Sequence, residues 1–461
     1  MEGAFLPQLE CLERREVPAV SGISFARGAL SVRLDYRGGE LELLGSSATA
    51  DNNFRLRFNG APVGNASGYN ITAGITVTGG DGGDIITIEP QAAGRSWRIP
   101  GNLTINSGNN ADIINIQNSV RGAGFVSGTV SLNTGNGNDQ VFLANANATD
   151  SLAVGRLFSL NGGNGADSLT SSKGTLNLRG FASVLSVNTV NLSPDAGGGI
   201  TVAGLQITNP LQQAFNNSLT IDGTAAAVTI TGNLGYSSNE REDTVSIDGL
   251  AITGDVNLGL GNGDNTVAFS ANAPVAIAGS LVVNAGNNDD VLTLSDANAT
   301  TIDTSLRLSL GNGTNTVTID NATIEGDASF KGGNGNDIIN IATIVDVEIL
   351  GSIWAALGND AGVVADRNEL QLGSNGVASA TVGRALTYFG GSGTDSVALE
   401  ENSSVAQLMN ISLGAGQDEV SLAAGSSVGS LKVNFGVDTD PDTFNNLSDA
   451  DFNIVLVNYV P

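Results

Sequence analysis

The chain has 461 residues, with 46 acidic against 19 basic side chains, a formal net charge of −27, 62 glycines and no histidine. That balance excludes nucleic acid and anionic membrane surfaces as partners, since both demand clustered cations. The missing histidine removes the commonest general base and transition-metal ligand, the lone Cys11 excludes an internal disulfide, and 41% hydrophobic content sets the chain apart from disordered acidic sequences.

Residues 1–20 differ in character from the rest of the chain and read as an export or processing segment, although they lack the apolar stretch of an ordinary secretory signal. Leu9-Glu-Cys-Leu-Glu-Arg-Arg-Glu-Val-Pro-Ala19 resembles the L-E-x-L-E-x-R-x-V-P-A segment near the start of many planctomycete exported proteins. The resemblance covers eleven residues and implies a secreted or cell-surface location; the Leu and Glu spacing also suits a short helical turn. No run of 18 apolar residues occurs, so no transmembrane helix is expected.

Residues 21–75 contain the alternating runs Leu30–Leu34, Leu41–Leu43 and Phe54–Phe58, the pattern of an N-terminal β-cap. From there one phrase recurs: a Gly/Asn turn, an acidic or amide residue, then alternating apolar residues. It ends at Asp84, Asp112, Asp139, Asp167, Asn265, Asp290, Asn315, Asp337, Asp395 and Asp418, with Asp243 and Asn368 in altered turns. Residues 168–235 read as degenerate coils stepping at Asp195 and near Ser218. Asp84 to Asp418 is then 334 residues in 13 steps, about 25.7 residues each.

A repeat of that length is one coil of a solenoid, whose apolar side is buried only when coils stack. The predicted fold is all-β: a parallel β-helix or β-solenoid over residues 76–435, with a C-terminal cap at 436–461. Right-handed winding is expected because parallel crossovers overwhelmingly take that hand. Two strands per coil are legible, such as Leu281–Val283 and Val291–Leu294. A sandwich or barrel would also need many short strands, but gives no reason for a turn returning every 22 to 28 residues in the regular stretches.

Four turns, at 79–84, 162–167, 332–337 and 390–395, match the hexamer G-G-x-G-x-D and resemble the calcium-binding nonapeptides of repeats-in-toxin proteins. The resemblance implies Ca2+ as a cofactor held by Asp84, Asp112, Asp139, Asp167, Asp290, Asp337, Asp395 and Asp418. One such turn per coil, rather than one every nine residues, departs from that family, and Asn265 and Asn315 replace the carboxylate. The same residues equally suit a stacked Asx ladder, in which Asp and Asn side chains bond backbone N–H groups of neighbouring corners.

No catalytic residue is assigned. The glycan-cleaving alternative, lyase or hydrolase, needs a Lys, Arg or His base or two spaced carboxylates. Only Lys173, Lys331, Lys432 and seven arginines follow residue 100, and Asp289-Asp290 sits inside the turn phrase. Thr-x-Thr triplets at 76–78, 229–231 and 316–318 do not share one coil position, and 22 aromatics are too scattered for a stacking platform. Trp97 and Trp354 read as core or cap residues. The expectation is a structural or adhesive rod, secreted or at the cell surface, with a surface, matrix or glycan partner and self-association through its ends.

Overall fold

The computed structural model describes residues 20–47, 50–117, 120–145, 147–209, 215–269, 272–294, 298–359, 367–437, 440–448 and 452–459. The export-like segment at 9–19, and with it nearly all of residues 1–20, lies outside them. Among the described residues there is no helix; the chain is all-β, with parallel coils of about 25 residues stacked into a β-solenoid of about 14 turns.

Most coils carry three strands; in four, the second and third run together as one, as in Thr175–Leu185. In one three-stranded coil, Val291–Leu294 leads through a polar corner to Thr300–Ile302, then through a second corner to Leu306–Gly311 and the Gly turn. The next coil repeats this with Asn315–Ile319, Ala322–Ile324 and Ala328–Gly332. Pairing is parallel and in register, Val291 against Thr316, Thr300 against Ala322 and Leu306 against Ala328. Three ladders, termed the first, second and third faces, thus run along the rod.

The middle strand of the coil was not legible in the sequence. Thr300–Ile302 and Ala322–Ile324 are three residues long, too short to display a period of two. The other strands alternate as expected, with every second side chain inward. Leu292, Leu294, Ile302, Leu306, Leu308 and Leu310 of one coil are all buried and belong to one continuous core.

The degenerate stretch also stacks, with steps at Asn188 and Asn217: Ser168 pairs with Thr189, Thr189 with Ser218 and Asn217 with Asp243. Asp195, expected to mark a step, is instead an exposed loop residue. The repeat was obscured there because asparagine takes the aspartate's place without a Gly-rich turn before it.

The N-terminal end is closed by antiparallel strands. Val20–Ala26 covers Ala29–Leu34, and Ala50–Phe58 covers Gly39–Ser47. The covered strands already pair in parallel with the first full coil. Trp97 seals this end, 1% exposed, edge-on to Phe54 and donating its indole N–H to Gln117 Oε1 at 2.7 Å. At the other end, Thr443–Asn446 and Asn453–Val457 extend the first and third faces in parallel.

Candidate functional site

The Gly turns bring consecutive coils into backbone-to-backbone contact. Gly165, two residues ahead of Asp167, has φ +134°, and a Cβ there would sit 1.5 Å from the Gly137 carbonyl oxygen. Only glycine accepts both the dihedral and the contact. This sets the following Asx residue at the start of the first face, where its side chain points into the rod.

The result is one axial file. The Asp84 N–H donates to Asp112 Oδ1 (2.7 Å), Asp112 N–H to Asp139 Oδ1 (2.8 Å), Asp139 N–H to Asp167 Oδ1 (2.9 Å) and Asp167 N–H to Asn188 Oδ1 (3.1 Å). Side-chain amides carry it onward, Asn188 Nδ2 to Asn217 Oδ1 and Asn217 Nδ2 to Asp243 Oδ1. Beyond Asp243 the file alternates Asp and Asn as far as Asp395, with bonds Asp243 N–H to Asn265 Oδ1, Asn265 N–H to Asp290 Oδ1 and Asp290 N–H to Asn315 Oδ1. Asn315 Nδ2 then donates to Asp337 Oδ1, Asp337 N–H to Asn368 Oδ1, Asp395 N–H to Asp418 Oδ1 and Asp418 N–H to Asp442 Oδ1.

All eight aspartates proposed from the sequence lie in this file, none more than 4% exposed. Asp84, Asp112, Asp139 and Asp167 are consecutive; Asn315 and Asn368 separate Asp290, Asp337 and Asp395, and Asp418 follows directly. The file also holds Asn217, at the step expected near Ser218, and Asn188 and Asp442, which no Gly-rich turn announces.

Burial in the core raises several of these carboxyls. It pushes Asp112 and Asp337 up to about 7 and Asp84, Asp167, Asp243 and Asp290 up to about 6, against the hydrogen bonds that lower them. Asp139 moves the same way for the same reason. Two core tyrosines donate into the file, Tyr236 to Asp243 Oδ1 at 3.0 Å and Tyr388 to Asp395 Oδ1 at 2.9 Å. Their own hydroxyls are driven upward by burial and by the neighbouring carboxylate.

The fit to calcium is poor. Most file carboxylates, Asp112, Asp139, Asp167, Asp290, Asp337 and Asp418 among them, commit Oδ1 to a neighbour's amide, and turn carbonyls accept amides of the next coil, as Gly108 O does from Asn136 and Gly135 O from Asn164. Calcium takes six to eight oxygens around one point. A single file spaced by the coil repeat offers no such convergence, and among the described residues no group of three or more acidic, His or Cys side chains has it.

A second, exposed file runs outside the same turns. Asn136 Nδ2 donates to Asn109 Oδ1 and Asn164 Nδ2 to Asn136 Oδ1; farther along, Asn287 Nδ2 donates to Asn262 Oδ1 and Asn312 Nδ2 to Asn287 Oδ1. The signal was present in the sequence as the Asn of the recurring Gly-Asn-Gly or Gly-Asn-Asn turn.

The adjacent pair Asp289-Asp290 divides between the two sides. Asp290 enters the buried file, while Asp289 is exposed and accepts the Thr314 N–H at 2.7 Å. Trp354 differs from its expectation. Strand Ile353–Ala356 buries Ile353 and Ala355, which turns Trp354 outward, 41% exposed. Compared with known proteins, the chain matches no family model, no curated protein and no solved structure.

Proposed function

We propose that this chain is a structural and adhesive rod acting outside the cell or at its surface. The observation that carries the reading is the unbroken axial stack: sixteen first-face strands, from Gly39–Ser47 to Thr443–Asn446, joined by in-register pairing. At about 4.8 Å per coil that is a rod about 70 Å long. The buried Asx file ties each coil to the next along most of that length. The export-like segment at 9–19 and the acidic surface support an external location.

The glycan-cleaving alternative loses its best carboxylate pair, because Asp289 and Asp290 point to opposite sides of the turn and cannot flank one glycosidic bond. The file needs a counter-charge at its unpartnered oxygens, such as Oδ2 of Asp112, Asp139 and Asp167. A shared proton or a cation such as calcium could supply it, and the bonding above favours the proton.

The location is tested by fractionating the native cells and labelling intact cells with an impermeant reagent. Recovery of the chain in the labelled surface or secreted fraction is expected. Confinement to the cytosol would overturn the reading.

A further inference from the structure

The third face departs from the rest of this acidic chain. From Ala29–Leu34 to Asn453–Val457, no outward position of its parallel strands is Asp or Glu, although the chain has 46 acidic residues. Its outward residues are mostly Ser, Thr and Asn until residue 307. Beyond that point cations and aromatics gather. Of the six basic residues after residue 200, Arg307, Lys331 and Lys432 project from this face, and Arg384 sits at the corner leading into it.

Between Lys331 and Lys432 lie Trp354 and Phe389, 41% and 40% exposed, on adjacent coils with ring centroids 6.3 Å apart. The ladder register fixes their order. Ser329, Trp354, Thr387, Asn410 and Lys432 form one column, and Lys331, Ala356, Phe389 and Ser412 the next. From residue 350 to 434, neither the outward positions nor the corner before them carries an acid. The nearest corner acid, Asp327, is occupied by the Ser352 N–H at 2.8 Å. Lys331, Arg384 and Lys432 make no ion pair among the described residues.

We propose that this strip binds an anionic linear polysaccharide, one carrying uronate or sulfate groups, lying along the rod axis. Exposed rings on successive coils present flat apolar surfaces to the C–H faces of sugar rings. The flanking ammonium and guanidinium groups meet the acidic substituents. Four coil steps separate Lys331 from Lys432, about 19 Å, so a chain of several sugars reaches both. The strip is too sparse in cations for a nucleic acid, whose phosphate density would meet repulsion from the remaining surface.

The inference deepens the adhesive reading and rests on it. The full-length protein is titrated with polygalacturonate or alginate, with dextran as the neutral probe and anionic phospholipid vesicles as the alternative polyanion. Binding of the acidic glycans alone is expected, weakening with salt. Trp354→Ala, and separately Lys331→Gln with Lys432→Gln, should each weaken it by about tenfold or more, while Ser131→Ala on the same face leaves it unchanged.

Equal retention by dextran, binding of vesicles instead, or affinity indifferent to both variants would each overturn the proposal, as would no binding at all. Circular dichroism and small-angle scattering on the same samples separate the two readings. An intact rod that ignores acidic glycans defeats this inference alone, whereas a chain that forms no rod defeats the reading beneath it.

Discussion

Four buried carboxyls stacked one coil apart cannot all be ionised at modest cost, since like charges so close in a low-dielectric interior repel strongly. At Asp112, Asp139 and Asp167 one oxygen accepts a backbone amide and the other has no partner. A proton held on some of them removes the repulsion and supplies a donor. From Asp243 to Asp395 the chain has solved the same problem with alternate asparagines, whose amides donate to the next carboxylate, as Asn265 does to Asp290 at 2.7 Å.

These shifts set the sign of the pH dependence. Asp84, Asp112 and Asp167 titrate at about 6 to 7 in the fold, above the ordinary 3.8, and burial raises Asp139 with them, so the folded state holds these protons more tightly than the unfolded chain. Their contribution is fully present below the ordinary value and is lost as pH rises through 6 to 7. The melting temperature should therefore fall between pH 5 and pH 8, a range in which ordinary surface carboxylates are already charged. Asp139→Asn keeps the acceptor and adds a donor, so it should flatten that slope and raise the melting temperature at pH 8. A slope unchanged by this variant would mean the file is not the titrating element. Millimolar calcium or a chelator should leave the wild-type melting temperature where it is; a rise with calcium would assign the counter-charge to the metal.

At the scale of a coil, the turn and the strands make different demands. The turn glycine must hold φ > 0 against the preceding coil's backbone, and Gly165 does both. Gly165→Ala should destabilise the protein by more than about 1 kcal/mol, read as a lower denaturation midpoint at unchanged m-value. An unaffected midpoint would show that the turns give way easily.

These demands also explain what the sequence revealed. Turns needing glycine and strands four or more residues long leave periodic marks, so the coil length, the parallel stacking and the eight file aspartates were legible. The three-residue second strand leaves none, and at Asn188 the file continues through a residue that looks like any loop asparagine, whereas the step at Asn217 was expected near Ser218. Trp354 shows a different failure. Its rarity suggested a core role, yet the alternation Ile353-Trp-Ala355 puts it outside, and local pattern prevails over residue type. The same bias hid the strip it forms with Phe389.

For the whole molecule, stability is close to a sum of coils and of contacts between neighbours, so the ends and the middle need not open together. The two ends are built differently. Antiparallel strands and the buried Trp97 cover the first, whereas Asn453–Val457 at the other end has exposed or half-buried residues throughout. Native-state hydrogen exchange should therefore find the amides of residues 453–457 opening first. Those of 29–34, though equally near an end, should persist much longer. The slowest should be the central strands around Phe330, which is fully buried. Phe330→Ala should cost about 3–5 kcal/mol in its own coil and neighbours. In a stack with only nearest-neighbour contacts that loss stays local, speeding exchange at 306–311 and 353–356 while leaving 103–106 and the N-terminal cap nearly unchanged. Uniform acceleration along the whole chain would instead show that the rod unfolds as one cooperative unit.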